Sequence, residues 1–113
     1  MGLFGRILGL FAGSDAETRL KKGLELATSG KPDAAIRIYD ALLDTATSED
    51  LRARVLLNRA LAYHAMSDDA QAEHDLKLVL ACHQATEPVR ATAGEKLARV
   101  QKRMLRTSDR ANR

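Results

Sequence analysis

The stretch NRALAYHAMSDDAQAEHDLKLVL, Asn58 to Leu80, sets a small residue, Ala60, three positions before the bulky Tyr63 and twelve before a second small residue, Ala72. Leu76 and Val79 follow Ala72 at helical spacing. Between the two halves lies Ser67-Asp68-Asp69, the residue types that open a helix by accepting its free amide bonds. The stretch therefore reads as two helices joined by a tight turn. Whether it is a single hairpin or one unit of a repeat decides the fold, because a repeat unit buries its apolar face only on its neighbours.

The same register recurs upstream. Gly23 precedes Leu26 by three positions and Ala35 by twelve, and Tyr39 and Leu42 follow Ala35 as Leu76 and Val79 follow Ala72. A third start is visible at Gly94, 34 positions after Ala60, with Leu97 three further on. Helix signals frame each piece. Ser14 with Glu17 forms a capping box that predicts a first helix to about Ser29. Gly30 and Pro32, in GKPDAAIRIYDALL, end that helix and open a second. The polar stretch Thr45–Asp50 opens a third, carried by Leu51, Val55, Leu57, Leu61 and Ala65. A fourth runs to about His83, and Thr86-Glu87-Pro88 starts a fifth through Val89, Ala93, Leu97, Val100 and Met104. The expectation is an all-α chain whose neighbouring helices run antiparallel.

Composition agrees. The 113 residues allow one small domain with a modest core, and with no Trp, two Phe and two Tyr the residues that strands prefer are scarce. The lone Cys82 cannot close an internal disulfide and is read as a buried helix residue. Nothing calls for an oxidising compartment, and no apolar run reaches the roughly 18 residues of a membrane span. A cytoplasmic protein is expected, with peripheral attachment to a membrane as an option.

The residues quoted from Asn58 to Leu80, with Gly30, Ala35, Tyr39 and Leu42 of the earlier unit, make the chain resemble the tetratricopeptide repeat family over roughly residues 16–106. The resemblance implies a short α-solenoid of about two and a half helix-turn-helix units with a C-terminal capping helix. Gly23, Ala35, Ala60 and Ala72 would allow close helix approach, and Tyr39, Tyr63 and Leu76 would fill the gaps beside them. The chain departs from the pattern in the 37 positions from Ala35 to Ala72, against about 34 in the family, so a longer link is expected near Thr45–Asp50. Arg19 and Lys22, then Leu56 and Arg59, stand where the family often has Trp and Leu.

The resemblance further implies a non-catalytic adaptor whose groove, lined by the first helix of each unit, holds an apolar helix or peptide of a protein partner. Carried over position by position, that groove contains Leu20, Lys21, Leu24, Arg54, Leu57, Asn58, Leu61 and His64. The carboxylate-clamping set of the chaperone-binding subclass is reduced to Asn58, since Leu20, Leu24, Pro88 and Thr92 hold the other places. With so few units, self-association as a homo-oligomeric scaffold is the alternative reading.

The ends carry separate signals. Residues 1–13, MGLFGRILGLFAG, put Leu3, Phe4, Ile7, Leu8 and Phe11 on one broad helical face, suited to a membrane surface or to a partner. Residues 14–106 form the helical domain, and 107–113 read as a basic flexible tail. From Arg90 onward eight Lys or Arg face only Glu95 and Asp109, so this part carries a net +6 while the whole chain carries +3. Such a terminus suits anionic lipid or a solvated helix face, and the absence of interleaved aromatics argues against nucleic acid. His64, His74 and His83 lack metal-ligand spacing, and no phosphate-binding glycine loop occurs, so no enzyme activity, metal or cofactor is expected.

Overall fold

The computed structural model describes residues 2–46 and 48–113, with side chains from Asp15 onward. The chain forms α1 (Gly2–Thr28), α2 (Pro32–Thr45), α3 (Glu49–Ala65), α4 (Asp69–Ala81) and α5 (Glu87–Ala111), with no strand among the described residues. The all-α expectation holds.

Two of the joints are built alike. After α1, the Lys31 amide donates to the Leu26 carbonyl and the Gly30 amide to that of Ala27, with Gly30 at φ 82°. After α3, the Asp68 amide donates to the Tyr63 carbonyl and the Ser67 amide to that of His64, with Ser67 at φ 63°. Both are the left-handed stop that closes off orphan carbonyls at a helix end, made with glycine in one case and serine in the other. The next helix starts at once, with Pro32 in the first turn of α2 and the Asp68 carboxylate accepting from the Gln71 amide at 3.3 Å in α4. Thus Asp68 is the cap, while Ser67 belongs to the stop before it.

Each helix packs on the next, and α1, α3 and α5 also touch in succession, whereas α2 and α4 do not meet. The result is two layers, with the odd-numbered helices in one and α2 and α4 in the other. Neighbours are antiparallel: Glu49 at the start of α3 lies against Cys82 just past the end of α4, and Arg59 in mid-α3 meets Asp75 in mid-α4. One core joins α1, α2 and α3 through Leu20, Ala35, Tyr39, Leu42, Val55 and Ala62. A second joins α3, α4 and α5 through Leu56, Ala60, Ala72, Leu76, Val79, Ala93 and Val100. Helix α3 serves both, so its buried residues lie on two sides.

Four expectations change. Helix α1 runs unbroken from Gly2 through Ser14, so the capping box is not a helix start. A cap preference is worth about 1 kcal/mol and acts only where the preceding chain leaves the helix, and no proline stands there to force that. The α2–α3 link is only residues 46–48, as short as the others, so the extra length between Ala35 and Ala72 is taken up as helix. Cys82 lies outside α4 in extended backbone, half-buried, its thiol directed to the Glu49 carbonyl at 3.6 Å. At the other terminus, α5 continues to Ala111, through most of the stretch expected as a tail.

Candidate functional site

The odd-numbered helices form the layer in which the predicted groove residues lie, and they divide between two shallow depressions. The first, of about 200 Å³ between α1 and α3, is lined by Glu17, Leu20, Lys21, Leu24, Arg54 and Asn58. The second, of about 60 Å³ between α3 and α5, is lined by Ala60, Leu61, His64, Leu76, Lys96, Arg99 and Val100. Leu57 is half-buried against the second core. Leu3, Phe4, Ile7, Leu8 and Phe11 lie outside the described side chains.

The predicted residues differ in what they offer. Leu24 stands 46% exposed, an apolar side chain held open to solvent. Leu20, expected beside it, is only 6% exposed, because it shares a face with Gly23 and turns toward Ala35 and Tyr39 of α2; it floors the depression. Arg54 is engaged, donating to both carboxylate oxygens of Glu17 at 2.7 and 2.9 Å and so tying α3 to α1 across the groove. That bond holds the Glu17 carboxyl below its ordinary range and raises Arg54. Asn58 donates to the Arg54 carbonyl at 3.0 Å, a local helix bond. Lys21 is exposed with no ion pair among the described residues.

Two further arginine clusters, unmarked by the sequence reading, fix the layers around this face. Arg59 donates from Nε and Nη2 to Asp75 at 2.8 and 2.9 Å and from Nη1 to Asp40 at 2.9 Å, so a single guanidinium on α3 holds both α2 and α4. It also stands 5.7 Å from the Tyr63 ring centroid, within cation–π range. Hydrogen bonding to Asp75 is the main reason its pKa is raised. At the far end of α3, Arg103 of α5 donates through Nε to Asp69 Oδ2 and through Nη2 to the His64 carbonyl, both at 2.6 Å, while His64 Nδ1 lies 2.9 Å from Asp69 Oδ1. His64 is thereby part of a clamp among α3, α4 and α5.

The Arg103 bond, with help from His64, depresses the Asp69 pKa against the opposing effect of burial. A carboxyl lowered on folding contributes stability that is present above its unfolded pKa of about 4 and is lost as pH falls through the folded value. Acid titration of the full chain followed by circular dichroism should show stability declining below about pH 4, and Asp69→Asn should flatten that decline while lowering stability at pH 7. An unchanged acid limb in the variant would place the acid-sensitive step elsewhere.

Among the described residues no group of three or more His, Cys, Asp or Glu is arranged to hold a metal ion, and no helix is long and apolar enough to cross a membrane. Fold and site together define an all-helical protein of packed consecutive helix pairs with two shallow depressions of mixed polar and apolar lining on its odd-numbered layer. Comparison of the chain with protein-family models, with curated proteins and with solved structures gives no match.

Proposed function

We propose that this chain is a short α-solenoid of the tetratricopeptide type, acting as a non-catalytic adaptor whose odd-helix groove binds an apolar helix or peptide of a protein partner. The solenoid reading is supported by the repeated left-handed joint and by the close approach of small and large residues in register. The single observation that carries the binding reading is Leu24, 46% exposed at the edge of the groove beside the floor formed by Leu20. Burying such a side chain against a ligand contributes roughly 1 kcal/mol or more, and Leu57 and Leu61 extend the apolar strip along α3. With Arg54 neutralised by Glu17, the middle of the groove favours apolar contact over capture of a charged terminus. The N-terminal stretch Leu3–Phe11 would bring the adaptor to a membrane surface in the cytoplasm, on the strength of its apolar spacing.

The groove is tested by selecting helical peptides from a displayed library against the full chain, then measuring their binding to the chain and to a Leu24→Asp, Leu61→Asp variant by fluorescence anisotropy. Selected peptides should lose at least tenfold in affinity for the variant, since two apolar contacts are replaced by charges that binding must desolvate. The variant's melting curve should stay close to that of the parent. Peptides that bind both proteins equally, or a selection that yields none, would remove the groove as a binding site.

A further inference from the structure

The outer side of α5 carries a feature that extends well beyond the peptide groove. Arg99, Lys102, Arg106 and Arg110 follow at spacings of three and four, which at about 100° per residue confines them to one narrow face, with Arg113 continuing the line just past the helix end. All five are exposed, and none forms an ion pair with an acid among the described residues. This sets them apart from Arg54, Arg59 and Arg103, each held by a carboxylate.

Position sharpens the contrast. Arg99 lines the depression between α3 and α5, so the stripe begins on the odd-helix face. Arg103 reaches His64, next to the last residue of α3, and Met104 is the last residue of α5 packed on the core. Beyond it the helix overhangs both α3 and α4, with Leu105 67% exposed beside the cations. Like charges three and four apart on a helix repel and weaken it, and Asp109, three positions from Arg106 and four from Arg113, offsets only part of that repulsion. A peptide lying across the groove would miss Arg106, Arg110 and Arg113, whereas an extended anionic surface meets the whole line.

We infer that the α5 stripe binds an anionic lipid bilayer, with Arg99, Lys102, Arg106, Arg110 and Arg113 against the headgroups and Leu105 at the interface. A bilayer is favoured over a nucleic acid by Leu105 and by the absence of any aromatic residue on α5 to stack on bases. Apart from Arg99, which also borders the second depression, this contact lies outside the peptide groove and the N-terminal segment, and it would supply the second of the two signals that stable attachment needs.

The test is co-sedimentation of the full-length chain with vesicles of phosphatidylcholine alone or with a third of the lipid as phosphatidylserine. Beside it run a Lys102→Gln, Arg106→Gln, Arg110→Gln variant and a Phe4→Ser, Phe11→Ser variant. Binding should require phosphatidylserine, weaken on the order of a hundredfold in the glutamine variant, and disappear near 1 M salt, where the screening length is about 3 Å. The three substituted cations make no ion pair, so helical circular dichroism should be unchanged in that variant. Binding that survives the glutamine substitutions but falls with the serine substitutions would overturn the inference and leave attachment to the N-terminal segment. So would no binding to either vesicle, or displacement from phosphatidylserine vesicles by a mixed-sequence oligonucleotide at physiological salt.

Discussion

Replacement of Arg59 by Met is expected to lower the stability of the folded chain by about 3–5 kcal/mol. The Asp75 carboxylate is fully buried, and its two described partners are the Nε and Nη2 groups of Arg59. Methionine fills much of the same volume, so packing changes little. What changes is that a charge is left inside a helical interface with neither water nor a donor. The loss is a large part of the 5–15 kcal/mol that holds a domain of this size together, so partial unfolding at room temperature is expected. Pairing the change with Asp75→Leu should recover most of the stability, because removing both partners of a buried ion pair costs far less than removing one. By contrast, Asp40→Ala should cost less than about 1 kcal/mol, since the Asp40 side chain is 53% exposed and its bond to Arg59 competes with solvent. Urea melts of the parent, Arg59→Met, Asp75→Leu and the double variant measure the Arg59–Asp75 coupling directly, with Asp40→Ala as a fifth protein. An Arg59→Met variant within about 1 kcal/mol of the parent would mean that Asp75 finds water on its own.

That cluster shows where reading the residues in order stops. The helices themselves were legible: Gly30 with Pro32, Asp68 and Thr86 mark three of the starts in the chain's own chemistry. The small residues were legible as well, because Gly23 with Ala35 and Ala60 with Ala72 share one twelve-position spacing and all four are buried. Arg59 and Asp75 were not, although each is a charge in a register otherwise filled by apolar residues, and their opposite signs were the available clue. Pairing across helices depends on how α3 and α4 rotate against one another, which no local pattern encodes. Helix α3 departs from its expected pattern for a related reason. The single stripe expected through Leu51, Val55, Leu57, Leu61 and Ala65 is replaced by burial of Ala53, Val55, Leu56, Ala60 and Ala62, since a helix shared by two cores has no single apolar face. Of the groove residues, all but Leu57 line the two depressions, yet the engagement of Arg54 with Glu17 and the inward turn of Leu20 needed the packed structure.

The other large effect concerns Gly23 and Tyr39, and it includes a reversal of sign. Tyr39 is fully buried, among the largest such side chains of the protein, and its ring lies against Gly23 so closely that a Cβ there would stand 2.5 Å from Cε1. In an exposed helix Gly→Ala gains about 1 kcal/mol from backbone entropy. Here the ring cannot swing away, because Leu20, Leu42, Val55 and Ala35 enclose it, and overpacking costs about 1–3 kcal/mol on top of the propensity gain it cancels. Gly23→Ala should therefore destabilise. Tyr39→Ala alone should cost about 3–5 kcal/mol through the cavity it leaves, partly offset because the Tyr39 hydroxyl is buried with no hydrogen-bond partner among the described residues. Once the ring is gone the clash is gone too, so Gly23→Ala added to Tyr39→Ala should become stabilising by about 1 kcal/mol. A propensity effect alone would give the same gain in both backgrounds, and a general disruption of the α1–α2 contact would give a loss in both. Only direct steric conflict between this glycine and this ring predicts opposite signs, which thermal and urea melts of the four proteins can distinguish.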